Sequence, residues 1–227
     1  MKIPITYPKA AALAISISLI VGGLLLYFST PQPNNPTPND YRDILDRLKH
    51  EGYSFQFPND TFTGKTVVLI HDVDYNFEGA KVLAEVEQEY GLRSVFYLRP
   101  DANYFTTSIK FFRELEAEGW QIGLHYDCLS RADNDTALAL EMFRAHTTYL
   151  RTFFNVSLTS YHGDVEYRTD INNYRLYAEN TDVWRELELT EVYSYQNFSY
   201  IRDTDNHLII PESLGNLVIV QLHADWW

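Results

Sequence analysis

The sequence predicts an α/β fold with a parallel sheet or barrel, because short apolar runs alternate with stretches of helical periodicity. The runs are rich in β-branched residues and stay apolar throughout, which is typical of strands buried on both faces. Glycines follow two of the helical stretches, where a residue of left-handed conformation ends many helices. The predicted strands are residues 66–70, 94–98, 120–124, 158–161 and 217–222.

The predicted helices lie before and between these strands. Residues 41–51 place three apolar side chains at helical spacing, and Asn39 or Asp40 is the predicted N-cap. Gly91 and Gly119 are predicted to end the second and third helices. The helices in order are residues 41–51, 77–90, 108–118 and 136–154, and residues 171–190 are predicted to be partly helical.

Composition excludes several classes of function. The 227 residues include 18 Lys and Arg against 31 Asp and Glu, a net charge of −13, with no basic stripe to meet nucleic-acid phosphates. Cys128 is the single cysteine, which excludes an internal disulfide framework and any multi-cysteine zinc or iron–sulfur site. The motifs Gly-x-Ser-x-Gly, Gly-x-Gly-x-x-Gly and Gly-x-x-x-x-Gly-Lys do not occur, so serine hydrolase and nucleotide-dependent chemistry are disfavoured.

The N-terminal segment predicts a membrane anchor. Residues 10–28 are apolar and uncharged, which is enough to cross a bilayer as a helix. Lysines precede this segment, so residues 1–9 are predicted to be cytoplasmic and the main domain extracytoplasmic. The alternative is a signal peptide that is cleaved to give a secreted protein. Residues 29–40 hold four prolines and are predicted to be a linker, and residues 41–227 the folded domain.

Four of the seven histidines follow directly on predicted strands. They are His71, His125, His162 and His223, whereas the other three histidines fall on predicted helices and loops. The carboxyl ends of strands in α/β folds meet on one face, where ligands bind. The sequence therefore predicts that the four imidazoles converge at one site.

Carboxylates accompany three of these histidines. Asp72 and Asp74 follow His71, while Asp127 and Asp164 each lie two residues after a histidine. Aspartate and histidine together suit a divalent ion such as zinc, iron, cobalt or nickel, with room left for water. For Asp74 the alternative is a capping role, since a predicted helix follows it.

Several of these segments resemble the polysaccharide deacetylases with NodB homology, carbohydrate esterase family four. The similarity is carried by residues 67–76 (VVLIHDVDYN), 91–100 (GLRSVFYLRP), 119–127 (GWQIGLHYD) and 217–223 (LVIVQLH). The resemblance implies a distorted (β/α) barrel. It implies the following roles by motif: Asp72 as catalytic base, Asp74 and His125 as metal ligands, and His223 as general acid.

One departure from the family pattern concerns the metal site. The family's second motif has another ligand histidine four residues after the first, but here that position is Leu129. The predicted replacement for this third ligand is His162, with Asp127 as second choice. A descendant without metal that only binds glycans, or assembles at the membrane, is the alternative.

The resemblance and the residues together predict a metal-dependent hydrolase of a non-peptide carbon–nitrogen bond. The expected reaction removes acetyl groups from an N-acetylated polysaccharide or glycan, with Zn²⁺ as the first choice of cofactor and Co²⁺, Ni²⁺ or Fe²⁺ as alternatives. Hydrolysis of another linear or cyclic amide is the second enzymatic alternative. The candidate substrate-binding residues are Asp127, Tyr161, Asp164, Arg202, Asp203 and Trp226, with further aromatic candidates at Tyr104, Phe105, Tyr167 and Trp227 for which core packing is the alternative.

Overall fold

The computed structural model describes residues 36–163, 171–194, 197–204 and 207–227. The predicted membrane segment, residues 10–28, lies outside the described residues, as do residues 1–9 and most of the predicted linker. In the part of the chain that is described, no helix has both the length and the apolar character needed to cross a bilayer.

Five of the nine strands match predicted strands, and four further short strands were not predicted. Predicted strands 66–70, 120–124 and 217–222 extend further at their carboxyl ends, so that His71, His125 and His223 lie inside the strands and not after them. The strands are β1 (Ser54–Phe55), β2 (Thr66–Val73), β3 (Val95–Leu98), β4 (Gln121–Tyr126), β5 (Leu158–Tyr161), β6 (Thr190–Glu191), β7 (Ser199–Thr204), β8 (His207–Ile209) and β9 (Leu217–His223).

These strands form one curled, open sheet, a half-barrel, in the order β6-β5-β4-β3-β2-β9-β7-β8. All pairs along it are parallel except β7 with β8, so the sheet is mixed. On one side of β2, β1 pairs with the first residues of the strand, and β3 pairs with it from Ile70 onward. The α/β class is confirmed, and the predicted parallel sheet is corrected at its last strand.

The helices pack against one face of this sheet. Helix α1 begins at Pro38, within the predicted linker, and its N-cap is Thr37 and not Asn39 or Asp40. Thr37 and Asp40 form a reciprocal capping box that satisfies free N–H groups of the first turn. The helices are α1 (Pro38–His50), α2 (Glu78–Glu89), α3 (Phe105–Ala117), α4 (Cys128–Arg131), α5 (Thr136–Leu150), α6 (Tyr174–Glu179) and α7 (Thr181–Glu186), with short 3₁₀ turns at Val192–Ser194 and Ala224–Trp226.

The two predicted helix ends at glycine are confirmed. Gly91 follows α2 with a φ of 65°, and Gly119 follows α3 with a φ of 104°. Both angles lie in the left-handed region, where a Cβ atom is unfavourable.

Side-chain alternation along β2 separates the core from the candidate site. Val67, Leu69 and Val73 point to the larger hydrophobic core beneath the helices, while Val68 and Ile70 join a smaller cluster on the concave face. Successive side chains of a strand alternate between faces, so Asp72 lies on the concave face. The candidate-site histidines of β4 and β9 line the same cavity as Asp72.

Of the four histidines that follow predicted strands, His71 does not lie on the concave face. The prediction that all four converge is therefore wrong. His71 is fully buried, and its Nε2 lies 2.6 Å from Glu87 Oε1 of α2. Because β2 continues through His71 to Val73, the His71 side chain lies on the same face as Leu69 and Val73. Strand alternation therefore directs the His71 ring into the core.

Candidate metal centre and cavity

A cavity of about 590 Å³ opens on the concave face at the carboxyl ends of the central strands. Most of the residues predicted for the site lie on its walls. These are Asp72, Asp74, His125, Tyr161, His162, Arg202, Asp203, His223 and Trp226. Asp164 lies outside the described residues.

Three buried side chains in this cavity can hold one metal ion. Asp74 Oδ1 lies 3.2 Å from His125 Nε2 and 3.5 Å from His162 Nε2. Ligand atoms of all three residues lie within 4.8 Å of one another. One carboxylate and two imidazoles form a donor set that suits zinc and the neighbouring transition metals.

Hydrogen bonding around this triad tests whether its residues fit a cation. His125 Nδ1 lies 3.0 Å from the Ser160 carbonyl oxygen, which can only accept, so in the neutral ring Nδ1 carries the proton and Nε2 the lone pair. That lone pair faces Asp74 Oδ1, which is buried and forms no hydrogen bond with any described residue. With His125 neutral, these two electron-rich atoms lie in close approach and a metal ion bound by both would satisfy them, so the donor atoms of the triad fit a metal ion.

Electrostatics favour an ionised Asp74 and a neutral His162, the forms in which these two residues bind metal. Burial opposes ionisation of Asp74, but the adjacent His125, His162 and His223 hold its pKa well below the usual value. Burial and the neighbouring His125 lower the pKa of His162, which favours its neutral form. Burial opposes a charge on His125, but Asp72 and Asp74 outweigh burial and raise its pKa, so metal binding there would displace a proton from His125.

Asp72 lies beside the triad and is held by two side chains. Gln221 Nε2 donates to Oδ2 at 2.7 Å, and Ser160 Oγ donates to Oδ1 at 3.4 Å. The carboxylate lies 3.8 Å from His125 Nδ1 and 3.8 Å from His223 Nε2. Asp72 is thus fixed between the triad and a second imidazole, where it can accept a proton from a reactant in the cavity.

His223 is oriented by a buried carboxylate from β7. Asp203 Oδ1 lies 2.7 Å from His223 Nδ1, and Asp203 also accepts the backbone N–H of His223 and the indole N–H of Trp227. Burial disfavours the charged ring, but Asp203 and Asp72 outweigh burial and raise the pKa of His223 to about 9. His223 therefore stays protonated at neutral pH and directs Nε2–H toward the cavity.

We expect Asp203→Asn to lower the pH at which activity is lost on the alkaline side of the pH profile. The family resemblance implies that His223 is a general acid, which must be protonated, so kcat/KM should fall as the pH rises through its pKa. Without the Asp203 charge the His223 pKa falls, and the alkaline limb should move to lower pH by about 1–3 units. A pH profile of kcat/KM measures this shift. An unchanged alkaline limb would show that the Asp203–His223 pair does not set it.

Aromatic side chains form much of the cavity wall. Tyr161 and Trp226 were predicted from the sequence, whereas Tyr193 and Tyr200 were missed. The Tyr193 ring lies 4.8 Å from Tyr161 and is stacked with Tyr200 at 6.3 Å between centroids. The Trp226 ring lies 4.7 Å from His223.

Other aromatic candidates belong to the core. Tyr104 and Phe105 are buried, and the Tyr104 hydroxyl donates to the carbonyl oxygen of Val73. The Trp227 indole is bonded to Asp203, which ties down the chain end. Tyr167 lies outside the described residues.

Asp127 lies next to the site in sequence but is committed to ion pairs. Arg99 Nη2 contacts its Oδ2 at 2.8 Å, and Arg131 Nε contacts both oxygens at 2.9 Å. Among the described residues, those that line the cavity do not include Asp127. Two guanidinium groups engage its carboxylate, and the ligand atoms that lie together are those of Asp74, His125 and His162.

Known proteins that resemble this chain are found among solved structures. No protein-family model matches the chain, and no curated protein sequence matches it. The catalytic domain of a peptidoglycan N-acetylglucosamine deacetylase from Eubacterium rectale matches with a TM-score of 0.52 at 12% identity, over 73% of this chain and 79% of that one.

Two further matches are weaker. A family 4 carbohydrate esterase from Bacillus anthracis gives a TM-score of 0.48 at 16% identity, over 80% of this chain and 76% of that one. A family 4 carbohydrate esterase from Streptomyces lividans gives 0.47 at 15% identity, over 72% and 81%. At such identities a likeness establishes the fold alone. The chain therefore has the fold of the peptidoglycan deacetylase domain from Eubacterium rectale, in agreement with the resemblance to NodB-like polysaccharide deacetylases found in its sequence.

Proposed function

We propose that this protein is a metal-dependent hydrolase that removes acetyl groups from an N-acetylated glycan. The observation that carries the proposal is the Asp74–His125–His162 triad, which shares one cavity with the paired groups Asp72 and His223. The fold shared with a peptidoglycan deacetylase domain supports the choice of an acetamide as the scissile bond. Zn²⁺ is the proposed ion, with Co²⁺, Ni²⁺ or Fe²⁺ as alternatives that the same donor set accepts.

Asp72 and His223 carry out the two proton transfers of amide hydrolysis. A divalent ion held by the triad supplies Lewis acidity, which polarises a carbonyl and lowers the pKa of water. Asp72, fixed by Gln221 and Ser160, removes the proton from the attacking water. His223, kept protonated by Asp203, donates from Nε2 to the leaving nitrogen. The two groups therefore act as base and acid on one reaction.

The cavity wall supports a carbohydrate as substrate. Tyr161, Tyr193, Tyr200 and Trp226 offer ring faces and edges that suit the C–H surfaces of sugars. Arg202 lies on the same wall and is available for a polar contact with the glycan. We propose that the enzyme works outside the cytoplasm, held by residues 10–28 as a single-pass anchor or released by cleavage, because this segment is apolar and preceded by lysines.

Acetate release from N-acetylglucosamine oligomers tests this proposal. The purified full-length chain is expected to release acetate, to lose that activity when a chelator strips the metal, and to regain it when Zn²⁺ is added back. Full activity after complete removal of metal would contradict a metal-dependent reaction. Hydrolysis of small linear or cyclic amides without any action on the oligomers would identify another amide hydrolase. Glycan binding without metal uptake would identify a non-catalytic protein.

A further inference from the structure

We infer that Asp225 is a positioning residue for Asp74, the carboxylate ligand of the proposed metal site. The inference rests on the proposed function and adds a residue that neither the motifs nor the family resemblance indicates. Asp225 lies two residues after His223, in the 3₁₀ turn that follows β9.

Asp225 accepts the backbone N–H groups of three consecutive residues. Its Oδ2 accepts from Asp74 at 3.0 Å, and its Oδ1 accepts from Tyr75 at 3.0 Å and from Asn76 at 2.8 Å. The Asn76 side-chain amide adds a fourth contact at 3.2 Å. Hydrogen bonds from N–H groups to an ionised carboxylate are stronger than those between neutral partners. The segment that carries Asp74 is thus fixed by one side chain.

The position of Asp74 in the chain explains why it needs this support. β2 ends at Val73, whose partner in the sheet is Leu98. Asp74 follows that last pair, so its orientation does not come from the ladder of the sheet. Asp225 takes the place of a neighbouring strand and satisfies the N–H groups that turn toward α2.

Asp225 is itself held at a fixed distance from α2. A Cβ atom on Gly79, in the first turn of α2, would lie 1.9 Å from the Ala224 carbonyl oxygen, so only glycine allows the turn to pack this closely. Trp227 Nε1 donates to Asp203, which also holds His223. The last residues therefore connect the support of the metal ligand with the support of the general acid.

Both carboxylate oxygens of Asp225 accept hydrogen bonds. Asp225→Asn is therefore an informative conservative variant. An asparagine side chain at this position would keep the shape of the aspartate but would have one accepting oxygen and an NH₂ group facing backbone donors. We therefore expect Asp225→Asn to weaken metal binding as Asp225→Ala does, although the side-chain volume is nearly unchanged.

The experiment measures the Zn²⁺ affinity of the full-length chain by competition with a chromogenic chelator. Asp225→Ala and Asp225→Asn are each expected to bind Zn²⁺ about 10–100-fold more weakly, as for other groups that orient a metal ligand. The matched control is Asp135→Ala. Asp135 is an N-cap whose carboxylate accepts the N–H groups of Ala137 and Leu138 at the start of α5. Its loss removes bonds of the same kind and should leave Zn²⁺ affinity unchanged.

The outcomes separate this inference from the proposed function. Wild-type affinity in a folded Asp225→Ala or Asp225→Asn protein would overturn the positioning role while leaving the metal site intact. An equal loss of affinity in Asp135→Ala would also overturn it, because the effect would then follow general destabilisation. If the wild-type chain takes up no Zn²⁺, the proposed function fails and the inference fails with it. The visible spectrum of the Co²⁺-loaded protein gives a second readout, which Asp225→Asn should change and Asp135→Ala should not.

Discussion

Alanine in place of Asp74, His125 or His162 is expected to abolish metal binding and to lower kcat/KM by about 10³-fold or more. The reason is that a bound metal ion contributes several kcal/mol of transition-state stabilisation, and each 1.4 kcal/mol or so corresponds to a factor of ten in rate. Each variant also leaves two electron-rich groups of the triad without their third partner. Elemental analysis of the purified chain and acetate release from N-acetylglucosamine oligomers measure the two effects.

His207→Ala provides the control for this series. His207 is an exposed histidine on β8 and does not line the cavity, so its removal should change neither metal content nor rate. The informative variant is His162→Ala, because His162 occupies no position in the family's histidine motif. If His162→Ala keeps wild-type metal content and Asp127→Ala loses it, the third ligand is Asp127 and the assignment of His162 is wrong.

Glu87→Ala is expected to lower the free energy of unfolding by about 3–5 kcal/mol, because it removes a buried carboxylate from a hydrogen-bonded cluster. Glu87 is fully buried and its oxygens contact four side chains at 2.6–2.8 Å. These contacts come from Tyr41 of α1, His71 of β2, Ser94 before β3 and Trp120 before β4. Removal of the carboxylate leaves the four groups buried without their partner. Urea denaturation of the full-length chain measures the change.

Glu89→Ala is the matched control on the same helix. Glu89 is exposed and pairs with Arg42 at 2.9 Å on the surface, so its removal should change stability only slightly. Zn²⁺ affinity of the folded Glu87→Ala protein should stay near that of wild type, since Glu87 lies on the face of the sheet opposite the cavity. A stability loss no larger than that of Glu89→Ala would show that the Glu87 cluster contributes little.

Interactions with neighbouring side chains offset the cost of burying the Glu87 carboxylate, and the pKa of Glu87 reflects them. Burial opposes the charge, but His71 and the hydrogen bonds from Trp120 and Tyr41 lower the pKa of Glu87 below its usual value. The cluster gives His71 a structural role in joining α2 to the sheet. It also explains why His71, which follows a predicted strand as the site histidines do, does not reach the candidate site.

The sequence alone determined the α/β class, the five main strands and the group of residues at their carboxyl ends. Apolar β-branched runs and helical periodicity are local patterns, so they can be recognised without knowledge of the fold. Parallel strands end on one edge of a sheet, which is why Asp72, His125 and His223 were predicted to lie together. The short strands β1, β6, β7 and β8 were missed, because runs of two to six residues with mixed polarity carry little periodic signal.

Tertiary structure alone decided which of these side chains share a face and what holds them. A step of one residue along β2 separates His71 in the core from Asp72 in the cavity, since side chains alternate along a strand. Asp203 meets His223 because β7 pairs with β9, and Asp225 meets Asp74 because the chain end packs on α2. These partners lie 20 and 151 residues apart in the sequence. Contacts across such separations are set by strand order and packing, and no local pattern of residues encodes them.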